Sequence, residues 1–273
     1  MTGSPPDLAG DLDLALSLAD DADGFTLPRF RHADFTLGWK DDRSEVTEAD
    51  RGAEALIAER VLRERPTHAF LGEEHGLQGD AASPWRWIVD PIDGTSGFVR
   101  GLPVWATLIA LTHERDGVVV AVVSAPALPR RWWAARGAGA FADGRPCRVS
   151  DVAELVDAQV NVTFSSGWDD LGLTGELLAI AQEARRARGF GDFWQHCLVA
   201  EGALDLAIDA VGVAPHDLAA VRLIVEEAGG TFTDRFGERT HEHPSAISSN
   251  GVLHARVIER LGGAAGPAQT PLS

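Results

Sequence analysis

Two aspartates, three residues apart, close an apolar and β-prone run in the stretch Trp87-Ile88-Val89-Asp90-Pro91-Ile92-Asp93-Gly94-Thr95. The pattern predicts a strand that ends at Asp90, followed by a rigid turn, because Pro91 restricts its own φ and Gly94 turns without a Cβ. Both carboxylates are then expected at the carboxyl end of a buried strand, where α/β sheets commonly place their sites. Hard oxygen ligands this close together suit a divalent cation such as Mg²⁺. The alternative is an ordinary strand exit with two solvated aspartates.

Further acids occur at two other positions where they could join such a site. Glu73 and Glu74 stand at the tip of a short apolar segment, in Gly72-Glu73-Glu74-His75-Gly76. Much later, Asp217 opens an apolar-periodic helix. Asp217 could also be a helix cap, because a carboxylate there accepts the unpaired N–H groups of the first turn. The two roles are compatible, since a metal-binding aspartate can also lie at a helix start.

These motifs, in this order and at this spacing, resemble the inositol monophosphatase family of Mg²⁺-dependent phosphatases. The resemblance is carried by Gly72-Glu73-Glu74, by Asp90-Pro91-Ile92-Asp93-Gly94-Thr95, and by Asp217 before a helix that ends at Glu227-Ala228-Gly229-Gly230. It covers residues 8–262. It implies an α/β fold with α+β lobes, a layered α-β-α-β-α sandwich of the inositol monophosphatase and fructose bisphosphatase type, with the site between the lobes.

The resemblance also implies a set of metal ligands. Glu73, Asp90 and the carbonyl of Ile92 are expected to hold one Mg²⁺, and Asp90, Asp93 and Asp217 a second. A third and weaker ion near Glu73 would make two to three Mg²⁺ per site. Metals held a few ångströms apart stabilise the entering and leaving oxygens of a displacement and lower the pKa of bound water. The implied reaction is hydrolysis of a small phosphate monoester by metal-activated water, without a phosphoenzyme.

Catalytic and phosphate-binding roles follow from the same resemblance. Thr95 and Asp50 are the candidates to orient and deprotonate the water, and Glu73 belongs to the same catalytic set. Asp50 also follows Thr47 by three residues, so it could serve only as a helix cap. The backbone N–H groups at the start of the helix after Asp93 could bind phosphate. The expected contacts with the substrate phosphate are therefore Asp93, Gly94 and Thr95. Two roles stay open, those of Lys40 and His216.

Three segments resemble the histidinol-phosphate phosphatases of this family. They are residues 97–106, residues 124–128 together with 131–137, and Gly189-Phe190-Gly191-Asp192-Phe193. Histidinol carries an ammonium and a titratable imidazole. The resemblance implies that Asp192 and Asp209 face the leaving alcohol. A carboxylate facing a cation makes a charge-assisted hydrogen bond. The predicted reaction is therefore histidinol phosphate to histidinol, in histidine biosynthesis. The alternatives are an inositol-1-phosphate or broad-specificity monophosphatase and, in a different class, a catalytically silent dimeric scaffold.

Composition restricts the partners. The chain has 273 residues, 45% of them hydrophobic, and a formal net charge of −17. Such a charge disfavours nucleic acid and anionic membranes as partners. It also requires a cationic group wherever a phosphate ester binds, which Mg²⁺ would supply. The two cysteines, Cys147 and Cys197, do not form a disulfide framework. With no signal peptide evident in the sequence, we expect a cytoplasmic enzyme, and the family resemblance predicts a homodimer.

Periodicity and composition divide the chain into an α+β lobe over residues 1–151, an α/β lobe over residues 152–262 and a flexible tail over residues 263–273. The resemblance implies that the first lobe binds the metal and that the second completes the site. The first lobe is predicted to hold a helix over 7–23, a strand near 35–39, a helix starting at Thr47 and antiparallel strands within 107–124 and 131–141. In the second lobe, strands and helices alternate. The predicted strands are 158–164 and 204–208, and the helices are 174–186, 193–202, 217–228 and 253–261.

Overall fold

A computed structural model of the chain describes residues 8–40 and 43–262. The chain forms two compact units that divide after Ala138. The elements of the first unit are α1 (Leu8–His32), β1 (Leu37–Trp39), β2 (Glu45–Thr47), α2 (Glu48–Glu64), β3 (Ala69–Gly72), β4 (Gly76–Gly79), β5 (Trp85–Asp93), α3 (Thr95–Val99), β6 (Ala106–His113), β7 (Gly117–Ala125) and β8 (Arg130–Ala135).

The main sheet of the first unit has the strand order β8-β7-β6-β5-β3-β4. Its strands pair antiparallel except β3 and β5, which run parallel. The apolar sides of α1 and α2 pack with the sheet in one core, in which Leu18, Ile57 and Trp87 are fully buried. Burial of such large apolar side chains is the main stabilising contribution to a unit of this size. The parallel pair brings the ends of β3 and β5 to one edge.

The predicted end of β5 at Asp90 is wrong, because the strand continues to Asp93. Pairing with β6 is interrupted by a bulge: Asp90 lies opposite Leu108, whereas Asp93 lies opposite Ala106. Pro91 falls inside this bulge, where its missing N–H costs no ladder hydrogen bond. The turn comes at Gly94, whose φ of 84° is the left-handed conformation that glycine adopts without a Cβ penalty. The bulge thus separates the two aspartates without ending the strand.

The second unit has its own mixed sheet. The elements of this unit are β9 (Gly139–Ala142), β10 (Arg145–Pro146), β11 (Gln159–Val162), α4 (Ser166–Asp170), α5 (Thr174–Glu183), β12 (Arg186–Arg188), α6 (Asp192–Ala200), β13 (Leu206–Ile208), α7 (Pro215–Glu227), β14 (Thr231–Thr233), β15 (Ile247–Ser249) and α8 (His254–Gly262). The sheet order is β12-β11-β13-β15-β14, with β11 parallel to both β12 and β13. Trp168, Leu177 and Leu206 lie in its core.

The α/β fold class is confirmed, with differences at several elements. The first helix continues to His32 although Pro28 lies within it. The predicted helix over 174–186 ends at Glu183 because the chain then forms the edge strand β12. The strands β14 and β15 were not predicted. Residues 263–273, predicted to be a flexible tail, lie outside the described residues. Among the described helices, none has the length and apolar character needed to cross a bilayer.

Candidate active site

The two aspartates of β5 are buried carboxylates at the end of a core strand. Asp90 is 2% exposed and Asp93 is 7% exposed. Each offers an oxygen within 4.8 Å of an oxygen of the other. One Asp90 oxygen, Oδ1, accepts a hydrogen bond of 2.9 Å from the Ile92 amide. Burial of two acids at this separation is costly unless a cation or hydrogen bonds compensate. The solvated-aspartate alternative is therefore wrong.

Glu73 follows β3 and joins Asp90 at the same sheet edge. Its amide donates to the Val89 carbonyl at 3.2 Å, which fixes the start of the loop against β5. One of its carboxylate oxygens lies within 4.8 Å of an Asp90 oxygen. The first unit therefore holds Glu73, Asp90 and Asp93 as a group of hard oxygen donors.

Lys40 is the cation nearest to this acidic loop among the described residues of the first unit. Its Nζ lies 2.6 Å from Glu73 Oε1 and 2.6 Å from Glu74 Oε1. Burial would lower the pKa of Lys40, but hydrogen bonds and charges from both glutamates outweigh it and raise that pKa. Lys40 is thus no isolated surface lysine. Glu74 does not face solvent either, and burial raises the pKa of its carboxyl.

Asp50 connects a helix cap with Thr95. The predicted capping box at the start of α2 is confirmed: Asp50 Oδ2 accepts from the Thr47 amide at 2.8 Å, and Thr47 Oγ1 accepts from the Asp50 amide at 3.4 Å. The other oxygen, Oδ1, lies 3.0 Å from Thr95 Oγ1, which is also 2.9 Å from the Ile92 carbonyl. Asp50 is fully buried, and burial raises its pKa. Asp50 therefore makes both contacts, one in the helix cap and one with Thr95.

In the second unit, Asp217 is a residue of the first turn of α7. The helix begins at Pro215, so Asp217 is the third helical residue rather than the cap, and its Oδ2 accepts from the Ala214 amide at 2.7 Å. This hydrogen bond is one half of a capping box. His216 Nε2 lies 3.5 Å from Asp217 Oδ1. The two oxygens of Asp217 therefore face different groups: Oδ2 the Ala214 amide and Oδ1 the His216 ring.

Asp192 and Asp209 differ in their surroundings. Asp192 is the first residue of α6, with a φ of 54°, and remains exposed. The protein atoms around its carboxyl still withdraw water from it and, with the charges of Asp209 and Asp217, raise the pKa of Asp192 to about 7. Its side chain does not cap α6, since Gly191 is the cap residue and no side-chain cap bond forms. A nearby cation would favour the ionised form.

Asp209 is held from behind by a histidine that was not predicted as a site residue. Its Oδ2 lies 2.9 Å from His196 Nε2, and its Oδ1 accepts from the Ala210 amide at 2.8 Å. His196 Nδ1 in turn lies 2.6 Å from Ser248 Oγ. All three side chains are buried, with Asp209 only 4% exposed. Because a carboxylate only accepts, the Nε2 of His196 carries the proton that it shares with Asp209.

Comparison with known proteins decides the family. The model of the inositol monophosphatase family matches residues 15–264. The chain belongs to the inositol monophosphatase family. It is 50% identical to a histidinol-phosphatase of Mycobacterium tuberculosis, over 92% of this chain and 97% of that protein. It is 44% identical to a histidinol-phosphatase of Streptomyces coelicolor, over 94% and 98%.

A solved structure shares the fold as well as the sequence pattern. The extragenic suppressor protein suhB from Bartonella henselae superposes with a TM-score of 0.86 at 28% identity, covering 94% of this chain and all of that chain. The expectation of an inositol monophosphatase type of fold is therefore confirmed.

The donor set of this family member suits the metal on which the family depends. Glu73, Asp90 and Asp93, all in the first unit, present carboxylate oxygens as possible ligands. Hard cations such as Mg²⁺ prefer oxygen ligands. Asp90 offers an oxygen within 4.8 Å of one from Glu73 and an oxygen within 4.8 Å of one from Asp93, so Asp90 can share an ion with either neighbour. We conclude that these residues form an acidic cluster able to hold a metal.

Glu54 is a second residue of the site region that sequence reasoning missed. It lies on α2, is 0% exposed, and faces the loop that carries Glu73. The signal was present: Glu54 follows Asp50 by four residues, which places both acids on one face of a helix. That face also carries the apolar residues Ala53 and Ile57, so two acids on it could have been expected to be buried, hydrogen-bonded carboxylates.

Proposed function

We propose that the chain hydrolyses the phosphate monoester histidinol phosphate to histidinol, a step of histidine biosynthesis. The observation that carries the proposal is the 50% identity over almost the full length of a histidinol-phosphatase. The acidic cluster of Glu73, Asp90 and Asp93 supports the reaction class, because phosphate monoester hydrolysis in this family depends on metal. A catalytically silent scaffold would have no use for buried carboxylates at this spacing.

We propose Mg²⁺ as the metal, with two to three ions per site. Glu73, Asp90 and the Ile92 carbonyl would hold one ion, and Asp90, Asp93 and Asp217 would hold the second. Bound Mg²⁺ supplies positive charge that lowers the pKa of water and stabilises the oxygens that enter and leave phosphorus. The net charge of −17 makes such a cation necessary for an anionic substrate to approach.

The residues around the cluster orient the water and the phosphate. Thr95 Oγ1 accepts a hydrogen bond from the attacking water and donates its own to Asp50, 3.0 Å away, so the proton that the water loses passes to Thr95 as Thr95 gives its proton to Asp50. Glu73, in the loop after β3, helps to position the same water. The amides of Gly94 and Thr95 donate to the phosphate, and Asp93 borders it. Because α3 is only five residues long, these local N–H groups, rather than a helix dipole, make the contact.

The leaving alcohol is recognised by charge. Asp192 is exposed and lies at the start of α6, so its carboxylate is available to the ammonium or imidazolium of histidinol. Asp209 is buried and hydrogen-bonded to His196, and it adds negative charge near Asp192. The alternative is an inositol-1-phosphate or broad-specificity monophosphatase. The acidic pair argues against this alternative, because a neutral polyol would not need it.

Replacement of Thr95 by valine tests the role of the hydroxyl. Valine keeps the shape but removes the group that contacts Asp50 and the Ile92 carbonyl. We expect kcat to fall roughly a hundredfold or more, within the range of lost proton-transfer catalysis, while Mg²⁺ affinity changes little. Steady-state kinetics and calorimetry measure both. Ser96→Ala, which removes the next hydroxyl on the same helix, should retain activity. Equal losses in both variants would contradict the role of Thr95.

The proposal as a whole is tested by phosphate release from histidinol phosphate in Mg²⁺ and in EDTA. We expect turnover in Mg²⁺ and none in EDTA; the absence of turnover in Mg²⁺ would leave the scaffold alternative.

We also propose a cytoplasmic location and a homodimer. Trp132 is fully buried, so within the pair Trp132-Trp133 it is the partly buried Trp133 that is available to contact a second copy. Sedimentation should show twice the monomer mass, and a monomer at micromolar concentration would contradict the dimer.

A further inference from the structure

The loop that carries Glu73 is held by a buried carboxylate that belongs to no proposed ligand set. Glu54 Oε2 accepts from the Glu74 amide at 2.7 Å, and Glu54 Oε1 accepts from the His75 amide at 2.8 Å. Oε1 also lies 2.8 Å from His75 Nδ1. The side chain of Glu54 is fully buried, whereas that of His75 is 45% exposed. Both carboxylate oxygens are therefore committed to the two residues that follow Glu73.

Glu54 approaches this loop so closely that position 72, just before Glu73, must be a glycine. A Cβ added to Gly72 would lie 2.2 Å from Glu54 Cδ and 2.4 Å from each of its oxygens. No side chain fits there unless the carboxylate moves. Gly72 is the last residue of β3, opposite Val89 on β5. The carboxylate of Glu54 thus packs directly against the backbone between β3 and Glu73.

Two independent contacts therefore hold the backbone on either side of Glu73, whose carboxylate also pairs with Lys40. On one side the Glu73 amide donates to the Val89 carbonyl of β5. On the other side Glu54, from α2, fixes the next two amides. A buried carboxylate makes strong hydrogen bonds to N–H donors, and its cost of desolvation is offset only while those donors remain in place. The loop and the carboxylate consequently stabilise each other.

We propose that Glu54 is a positioning residue for metal binding: it holds the Gly72–His75 loop so that the Glu73 carboxylate faces Asp90. This inference rests on the proposed function, since it takes Glu73 and Asp90 as metal ligands. Outer residues that orient a metal ligand commonly contribute ten- to a hundredfold to metal affinity. Glu54 itself contacts neither metal nor substrate.

Glu54→Gln tests the proposal, because glutamine keeps the size but turns one acceptor into a donor that faces an amide N–H. We expect the Mg²⁺ dissociation constant, measured by calorimetry on the full chain, to rise roughly ten- to a hundredfold. Saturating Mg²⁺ should restore most of kcat. Hydrogen exchange at the amides of Glu74 and His75 should become faster, while exchange in β6 and β7 stays unchanged.

Glu59→Gln is the matched control, since Glu59 lies on the same helix with an 82% exposed side chain. It should leave Mg²⁺ affinity and exchange unaltered. A Glu54→Gln protein with a lower melting temperature but unchanged Mg²⁺ affinity would overturn the proposal and leave Glu54 a structural residue. If Glu54→Gln does not fold, Glu54→Asp, whose shorter side chain keeps the charge but cannot reach both amides, is measured in the same way with the same expected loss.

The outcomes also separate this inference from the function on which it rests. If the wild-type chain binds Mg²⁺ and loses that binding in Asp90→Asn, the metal site is supported whatever Glu54→Gln does. If the wild-type chain binds no Mg²⁺, the proposed function fails, and with it the role of Glu54.

Discussion

Asp90→Asn is expected to abolish Mg²⁺-dependent turnover while the protein remains folded. Asp90 lies between Glu73 and Asp93, with oxygens within 4.8 Å of each, so it is the carboxylate shared by both proposed ions. Metal ions supply several kcal/mol of charge stabilisation in the transition state, and each 1.4 kcal/mol is tenfold in rate. We therefore expect kcat/KM to fall by at least about a thousandfold. Kinetics with histidinol phosphate and Mg²⁺ calorimetry measure the two losses.

The fold should survive this substitution because asparagine has nearly the same volume and can keep the hydrogen bond to the Ile92 amide. Asp90 Oδ1 accepts from the Ile92 amide, and the carbonyl oxygen of asparagine can do the same. Circular dichroism should be that of the wild type. Asp34→Asn, at an exposed position of the same unit, serves as the control and should keep full activity. Full activity of the Asp90→Asn protein, or of the wild type in EDTA, would contradict the metal site.

Asp192→Asn is expected to impair histidinol phosphate hydrolysis selectively. The variant keeps the shape and some hydrogen bonding but loses the charge that would face the cationic alcohol. Loss of a hydrogen bond to a charged group costs about 1.5–3 kcal/mol, which corresponds to roughly ten- to a hundredfold in kcat/KM. For inositol 1-phosphate, a neutral alcohol ester, we expect a much smaller change. Kinetics on both esters with the same protein preparation measure the difference.

The choice of asparagine also limits damage to the helix start. Asp192 has a φ of 54°, and asparagine, like aspartate, tolerates this left-handed conformation. A similar loss on both esters would show that the start of α6 had been disturbed and would remove the evidence for charge recognition. A wild-type preference for inositol 1-phosphate would favour the broad-monophosphatase alternative.

The clustered part of the site could be predicted from sequence because it is local. Asp90, Pro91, Asp93 and Gly94 lie within five residues, so strand, bulge and turn follow from their types. Even there, the pattern did not reveal that β5 continues through Pro91, because the bulge depends on pairing with β6. The capping box at Thr47 and Asp50 was equally local and was predicted correctly.

The supporting residues were harder to predict because their partners are distant in sequence. Glu54 contacts residues 20 and 21 positions away, and His196 contacts Ser248 across 52 positions. Periodicity within one helix shows that such side chains are buried but not which groups they meet. The strands β12, β14 and β15 are three residues each, too short for a periodic signal, and form through pairing with distant strands.

The central claim is that this member of the inositol monophosphatase family acts on histidinol phosphate with Mg²⁺. The most direct measurement is kcat/KM of the purified wild-type chain for histidinol phosphate and for inositol 1-phosphate, side by side, in Mg²⁺ and in EDTA. We predict a clear preference for histidinol phosphate that is present in Mg²⁺ and lost in EDTA. Equal rates on the two esters, a preference for inositol 1-phosphate, or undiminished hydrolysis in EDTA would contradict it.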